Sequence, residues 1–357
     1  MAQNEGKLIV ATRFSCIYQS GSTVTKVTPI GSVVRPHDPL SELELLRRLQ
    51  ISKNLHIIEL LSFDTQQGTV RLQFPYYRQN MHEYLMTYYR RPRWNPYLLN
   101  GEQSQSSKRV NGLPLTHAIS FFQQLADALT SIHALGIIHR DLKLHNVLVD
   151  EADAQNATPR LILIDFGIAY HEETSSEAPD HKVTDVSTSI YKAPELLFSV
   201  KNYSSAIDIW ALLVLISQVF NMDSLSDTHI PAFVDDGSGE LEQGSDIRLI
   251  SSIFENLGIP TLDEWPEVRD HGSPAFEGMF GREGNNRYFV SQPIQVQHKM
   301  CLRLFPRLVE ISEPAKTTLI RCLLRMMPFE STHRISAIEI SELLKSLHDK
   351  QVERTAH

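Results

Sequence analysis

The segment Ile137-Ile-His-Arg-Asp-Leu-Lys-Leu-His-Asn-Val-Leu-Val149 constrains this chain more than any other stretch. It spaces His139, Arg140, Asp141, Lys143 and Asn146 as H-R-D-x-K-x-x-N. Five such fixed residues would meet by accident in roughly one chain of this length in ten thousand. Two further signatures follow in order, Asp165-Phe-Gly167 behind the strand-like Leu161–Ile164, and Ala193-Pro-Glu195.

The pattern around that segment predicts an α+β architecture in two lobes. Residues 1–75 read as short β-branched runs, Lys7–Val10 and Thr23–Thr28 among them, with one helical stretch over Ser41–Leu49. Residues 76–80 form a connection, and residues 81–350 a larger, helical lobe. There Ile119, Phe122, Leu125, Ala126, Leu129 and Ile132 recur at helical spacing within Ala118–Leu135. Three polar stretches read as surface loops: an insertion at 90–113, Glu172–Asp185 and Asp223–Gly244. The apolar run Ile207–Phe220 contains Asp208 and is too short to span a bilayer, so it reads as a buried helix.

Composition narrows the functions. A formal net charge of −8 at pH 7 argues against a nucleic-acid or anionic-membrane binder, both of which need a basic field, and favours a basic partner surface. Cys16, Cys301 and Cys322 are too dispersed for a disulfide framework or a zinc site, which points to a reducing compartment, cytoplasm or nucleus. The first residues hold no apolar signal core.

From Leu8 to about Leu347 the three signatures make the chain resemble the eukaryotic protein kinases. The resemblance implies an enzyme that moves the γ-phosphate of ATP to a protein Ser or Thr with magnesium. Asp141 would orient the substrate hydroxyl and take its proton, and Lys143 would neutralise the γ-phosphate. Asn146 and Asp165 would hold magnesium, a hard cation suited to oxygen ligands. Lys26 would bind the α- and β-phosphates, supported by Glu42 rather than Glu44 on the helix Ser41–Leu49. Thr188 matches the threonine of the substrate-binding loop. His139, Asp208 and a Glu195–Arg334 pair would be architectural.

The nucleotide pocket implied by the same resemblance has Ile9, Ile17, Val24 and Leu148 as walls and Phe74 as gatekeeper. Pro75 offers only its carbonyl to adenine, Tyr77 supplies the donor, and Asn80 reaches the ribose. The family's phosphate-covering loop carries three glycines; here Val10, Thr12 and Ser15 occupy those places, so the phosphate cradle is reshaped.

Ile253–Val268 and Ile190–Leu197 resemble the cyclin-dependent and mitogen-activated kinase group. Lys192 stands where that group has an arginine shaping a proline pocket, and the two side chains are not equivalent. The usual activating phosphothreonine falls on Val183, with Thr184 beside it, and Glu177, Asp180 and Asp185 offer a permanent carboxylate to Arg140 instead. Lacking both the glycines and that threonine, the chain resembles the fungal single-subunit kinases that activate cyclin-dependent kinases. The implied partner is a cyclin-dependent kinase acting as substrate, with no obligatory cyclin and a monomeric enzyme. Two alternatives stand beside it: a same-group kinase of another target, such as the RNA polymerase II tail, and a catalytically silent docking protein.

Overall fold

The computed structural model describes residues 6–32, 34–66, 68–90, 108–151, 158–225, 228–229, 231–237 and 244–355. Among these, strands β1 (Lys7–Ala11), β2 (Cys16–Ser20), β3 (Thr23–Pro29), β4 (Ser62–Asp64) and β5 (Thr69–Pro75) form one antiparallel sheet in the order β1-β2-β3-β5-β4. Helix α1 (Pro39–Ser52) packs on it. Asp38 caps α1 by accepting the Leu40 and Ser41 amides, and Pro39 supplies a pre-set φ at the first turn. Leu43, Leu45, Leu46 and Leu49 form the buried stripe of α1. The helix exceeds the expected Ser41–Leu49 because cap and proline extend it backward, while its last turn, ending at Ser52, is more exposed.

The chain then enters the helical lobe through β6 (Gln79–Asn80), followed by α2 (Met81–Tyr88), β7 (Tyr89–Arg90), β8 (Lys108–Asn111) and α3 (Leu115–Ala134). Strands β9 (Val147–Asp150) and β10 (Arg160–Leu163) pair with each other, and β9 also pairs with β6. That link joins the connection at 76–80 directly to the strand leaving the Asp141 segment.

Helices α4 (Pro194–Leu197), α5 (Ala206–Val219), α6 (Asp246–Leu257), α7 (Pro266–His271), α8 (Ala275–Phe280), α9 (Ile294–Leu304), α10 (Ala315–Met326) and α11 (Ala337–Thr355) complete the lobe. α5 is apolar all round and buried from Ile207 to Val219, as its run of Ile, Leu and Val requires. Among the described residues no helix is long and apolar enough to cross a membrane.

One stretch departs from expectation. Asp223–Gly244 contains β11 (Asp223–Leu225) and β12 (Thr228–His229), and β11 pairs with β8, which pairs with β7. A polar stretch gained order because its backbone found partners far away in the chain. The expected insertion at 90–113 falls largely outside the described residues; its end, β8, is a strand.

Candidate active site

Between the sheet and the helical lobe lies a cavity of about 780 Å³, within the range of small-ligand sites. Lys26, in the middle of β3, reaches across it. Its Nζ lies 2.7 Å from Glu42 Oε1 and 2.8 Å from Asp165 Oδ1. Burial alone would lower the Lys26 pKa, but Asp165 and Glu42 raise it further, so the ammonium stays charged. The same ammonium holds Asp165 well below the usual carboxylate range. Glu44 turns the other way, to Arg47 and Arg48 at 3.5 and 3.1 Å. The choice of Glu42 rests on helix geometry, since two residues along a helix point to different faces.

On the opposite wall Asp141 is held by three side chains. Thr188 Oγ1 donates to Asp141 Oδ1 at 2.6 Å, Lys143 Nζ lies 2.9 Å from Oδ2, and Asn146 Nδ2 donates to Oδ2 at 2.8 Å. Lys143 also donates to Thr188 Oγ1 at 2.8 Å. The backbone beneath is anchored by Asp208 at the start of α5, which accepts the His139 and Arg140 amides at 2.8 and 3.0 Å. Arg140 and Asp165 adopt φ of 69° and 64°, left-handed values that side chains seldom take unless neighbours hold them. His139 is buried, bonded through Nε2 to the Ile164 carbonyl and set edge-on to Phe166. It faces the frame rather than the cavity.

Ile17, Val24 and Leu148 line the cavity, with Phe74 and Pro75 at its inner edge. One expected wall residue is corrected, and two others stand outside the lining. Ile9 is outside the lining, and Val10 takes its place. The cause is an irregularity in β1, where pairing passes from Leu8↔Tyr18 to Val10↔Ile17 and shifts the alternation by one residue. The Tyr77 side chain is outside the lining and packs partly buried against the core, so what it offers an adenine is its backbone amide. Asn80 is outside the lining, and its side-chain oxygen caps α2 by accepting the Glu83 amide at 3.0 Å.

A profile of the protein kinase domain matches residues 23–344. The chain belongs to the protein kinase family. It is 39% identical over 357 residues, 95% of this chain and 96% of the relative, to the Serine/threonine-protein kinase CAK1 of Saccharomyces cerevisiae. It is 32% identical over 145 residues, 41% of this chain and 43% of the relative, to the Serine/threonine-protein kinase csk1 of Schizosaccharomyces pombe. To Mitogen-activated protein kinase 5 of Oryza sativa subsp. indica it is 31% identical over 235 residues, 65% of this chain and 52% of that protein. This kinase is of the serine/threonine class.

The kinase's segment between Asp165 and Glu195 is tied down by one buried pair. Arg140 donates from both terminal nitrogens to Glu177, at 3.0 and 2.8 Å, and both side chains are almost fully buried. Glu177 also accepts the Val183 amide at 2.6 Å, and Tyr203 bridges Arg140 to the Val183 carbonyl. Burial would raise the Glu177 pKa, but Arg140 and the Val183 amide bring it below its ordinary value. Of the three acids the sequence offered to Arg140, Asp185 instead joins Lys192, which also reaches Asp246 at 3.2 Å. The Glu195–Arg334 pair forms at 2.6 and 2.7 Å, and Arg334 satisfies its remaining donors on the Ala206, Pro328 and Phe329 carbonyls. Sequence reasoning missed His37, which lines the cavity; an imidazole in a connecting turn carries no pattern that would reveal it.

Proposed function

We propose that this kinase transfers the γ-phosphate of ATP to the activation-segment threonine of a cyclin-dependent kinase, acting as a single chain without a cyclin. Protein kinases use ATP and magnesium as a rule. The observation that carries the reading is the meeting of Lys26, Glu42 and Asp165 with Asp141, Lys143, Asn146 and Thr188 across one cavity. Near full-length similarity to CAK1 and the group features of Ile253–Val268 support the substrate class. The buried Glu177 beside Arg140 supports activity without added phosphate.

The site's residues divide the work as phosphoryl transfer demands, by positioning and charge neutralisation. Asp141 accepts the substrate hydroxyl proton, oriented by Asn146 and freed for it when Thr188 yields its hydrogen bond. Lys143 neutralises charge that develops on the transferring phosphate, and Lys26, fixed by Glu42, holds the phosphates behind it. Asn146 and Asp165 offer two oxygens on one cavity rather than a closed cage of carboxylates, a donor set that suits magnesium. They would hold the ion, which when bound shields the phosphate charge. Cys301 and Cys322 are free and buried and Cys16 is free, consistent with work in the cytoplasm or nucleus.

Purified kinase incubated with magnesium-ATP and a monomeric cyclin-dependent kinase tests the reading by mapping the phosphate. We expect one site, the activation-segment threonine. No incorporation, or phosphate only on a polymerase-tail peptide offered alongside, overturns it.

A further inference from the structure

The hairpin between β1 and β2 is closed by its own side chain. The Thr12 amide donates to the Ser15 carbonyl at 2.9 Å, while Thr12 Oγ1 accepts the amides of Phe14 and Ser15 at 3.2 and 3.0 Å. Those two amides are thus engaged within the loop. A phosphate arriving beneath it finds those two amides taken and draws on other donors, because an anion leaving water needs them.

Phe14, at the tip, lays its ring on His37, with centroids 3.7 Å apart and planes 23° from parallel. His37 stands in the turn that enters α1. Its amide donates to the Val34 carbonyl at 2.8 Å, and the next residue is the cap Asp38, so the ring is anchored on both sides. It is half-buried and lines the same cavity as Lys26, Asp141, Asn146 and Asp165. Burial lowers its pKa from the ordinary imidazole value. The neutral ring still has one N–H to give.

We propose that His37 is a nucleotide-phosphate ligand of this kinase, supplying from an imidazole the contact that the loop amides, tied to Thr12, do not supply, with Phe14 holding the ring in position. The proposal rests on the reading that the cavity binds ATP. It assigns the phosphate contact to the turn before α1, and so joins phosphate binding to the helix that carries Glu42.

Calorimetry of the full chain with magnesium-ATP and with adenosine separates the possibilities. His37→Ala is expected to weaken ATP about tenfold, as loss of a hydrogen bond to a charged group does, and to leave adenosine unchanged. His37→Gln, which keeps an N–H donor, is expected to retain more of the ATP affinity than His37→Ala, and the KM for ATP is expected to rise in His37→Ala with kcat little altered. Phe14→Leu, which removes the stack, is expected to lower ATP affinity and spare adenosine. Equal losses for ATP and adenosine in His37→Ala would make His37 a structural clasp only, and unchanged ATP affinity would remove it from the site; either result overturns the proposal. Wild-type protein that binds adenosine but gains nothing from the phosphates of ATP would also overturn the proposal, whereas wild-type protein that binds neither would overturn the nucleotide reading itself.

Discussion

At the scale of single residues, the site works by keeping charged groups close without letting them cancel. Asp141 is bonded by Thr188, Lys143 and Asn146, yet remains an acceptor open to the cavity. Asp141→Asn keeps the shape and removes the proton acceptor, so turnover is expected to fall by roughly 10²–10⁴ while ATP binding by calorimetry stays near wild type. Full turnover in the variant would end the assignment. Glu177 makes a different kind of prediction, because its loss leaves the nearly buried Arg140 without its carboxylate. Glu177→Ala is expected to cost about 3–5 kcal/mol in urea unfolding, and Glu177→Gln less. Unchanged midpoints in both would show the pair to be incidental. Asp141 and its neighbours were legible because the Asp141 segment and Asp165-Phe-Gly167 match motifs whose roles the family resemblance carries over. Ile9 was not, since a one-residue irregularity in β1 reverses which side chains face inward and leaves no mark in composition.

At the scale of elements, the ends of α1, α5 and α7 decide more than their middles. α1 brings Glu42 to Lys26 because Asp38 and Pro39 start it there, and α5 places Asp208 under the Asp141 segment in its first turn. α7 carries a titratable counterpart. Glu267 accepts the Ser331 hydroxyl and amide at 2.8 and 3.2 Å, and burial together with the nearby Glu195 charge moves its pKa from 4.5 to about 7. A folded pKa above the unfolded one means the native state holds the proton longer, so this residue's stabilisation is complete below about pH 4 and fades as pH rises through 7. Glu267→Gln is expected to match wild type in stability at pH 4.5 and to exceed it at pH 8, by about 3 kcal/mol at most, with its thermal midpoint following the same order. Parallel midpoints across that range would refute the shift. Helices with strong periodicity were legible to within a few residues. The β7–β8–β11–β12 sheet was not, because the β8–β11 pairing that unites it joins segments more than a hundred residues apart, and polar composition says nothing of distant partners.

At the scale of the whole molecule, the two lobes meet over one cavity, and β6 pairing with β9 ties the connection between them to the strand leaving the Asp141 segment. The activation segment is already anchored in this arrangement. Phosphatase-treated protein from a bacterial host, shown unmodified by intact mass, is expected to phosphorylate a cyclin-dependent kinase as a monomer with no cyclin present. Activity that appeared only after Thr184 was phosphorylated, or only with a cyclin, would overturn this. The Arg140–Glu177 pair then has a bearing on how such an enzyme can be governed. A phosphothreonine is a mark that one enzyme writes and another erases, whereas a glutamate is copied from the gene and persists for the life of the chain. Taking phosphate from this segment would leave the Arg140–Glu177 pair in place, so the anchoring of the segment is a property of the sequence and not of its modification state.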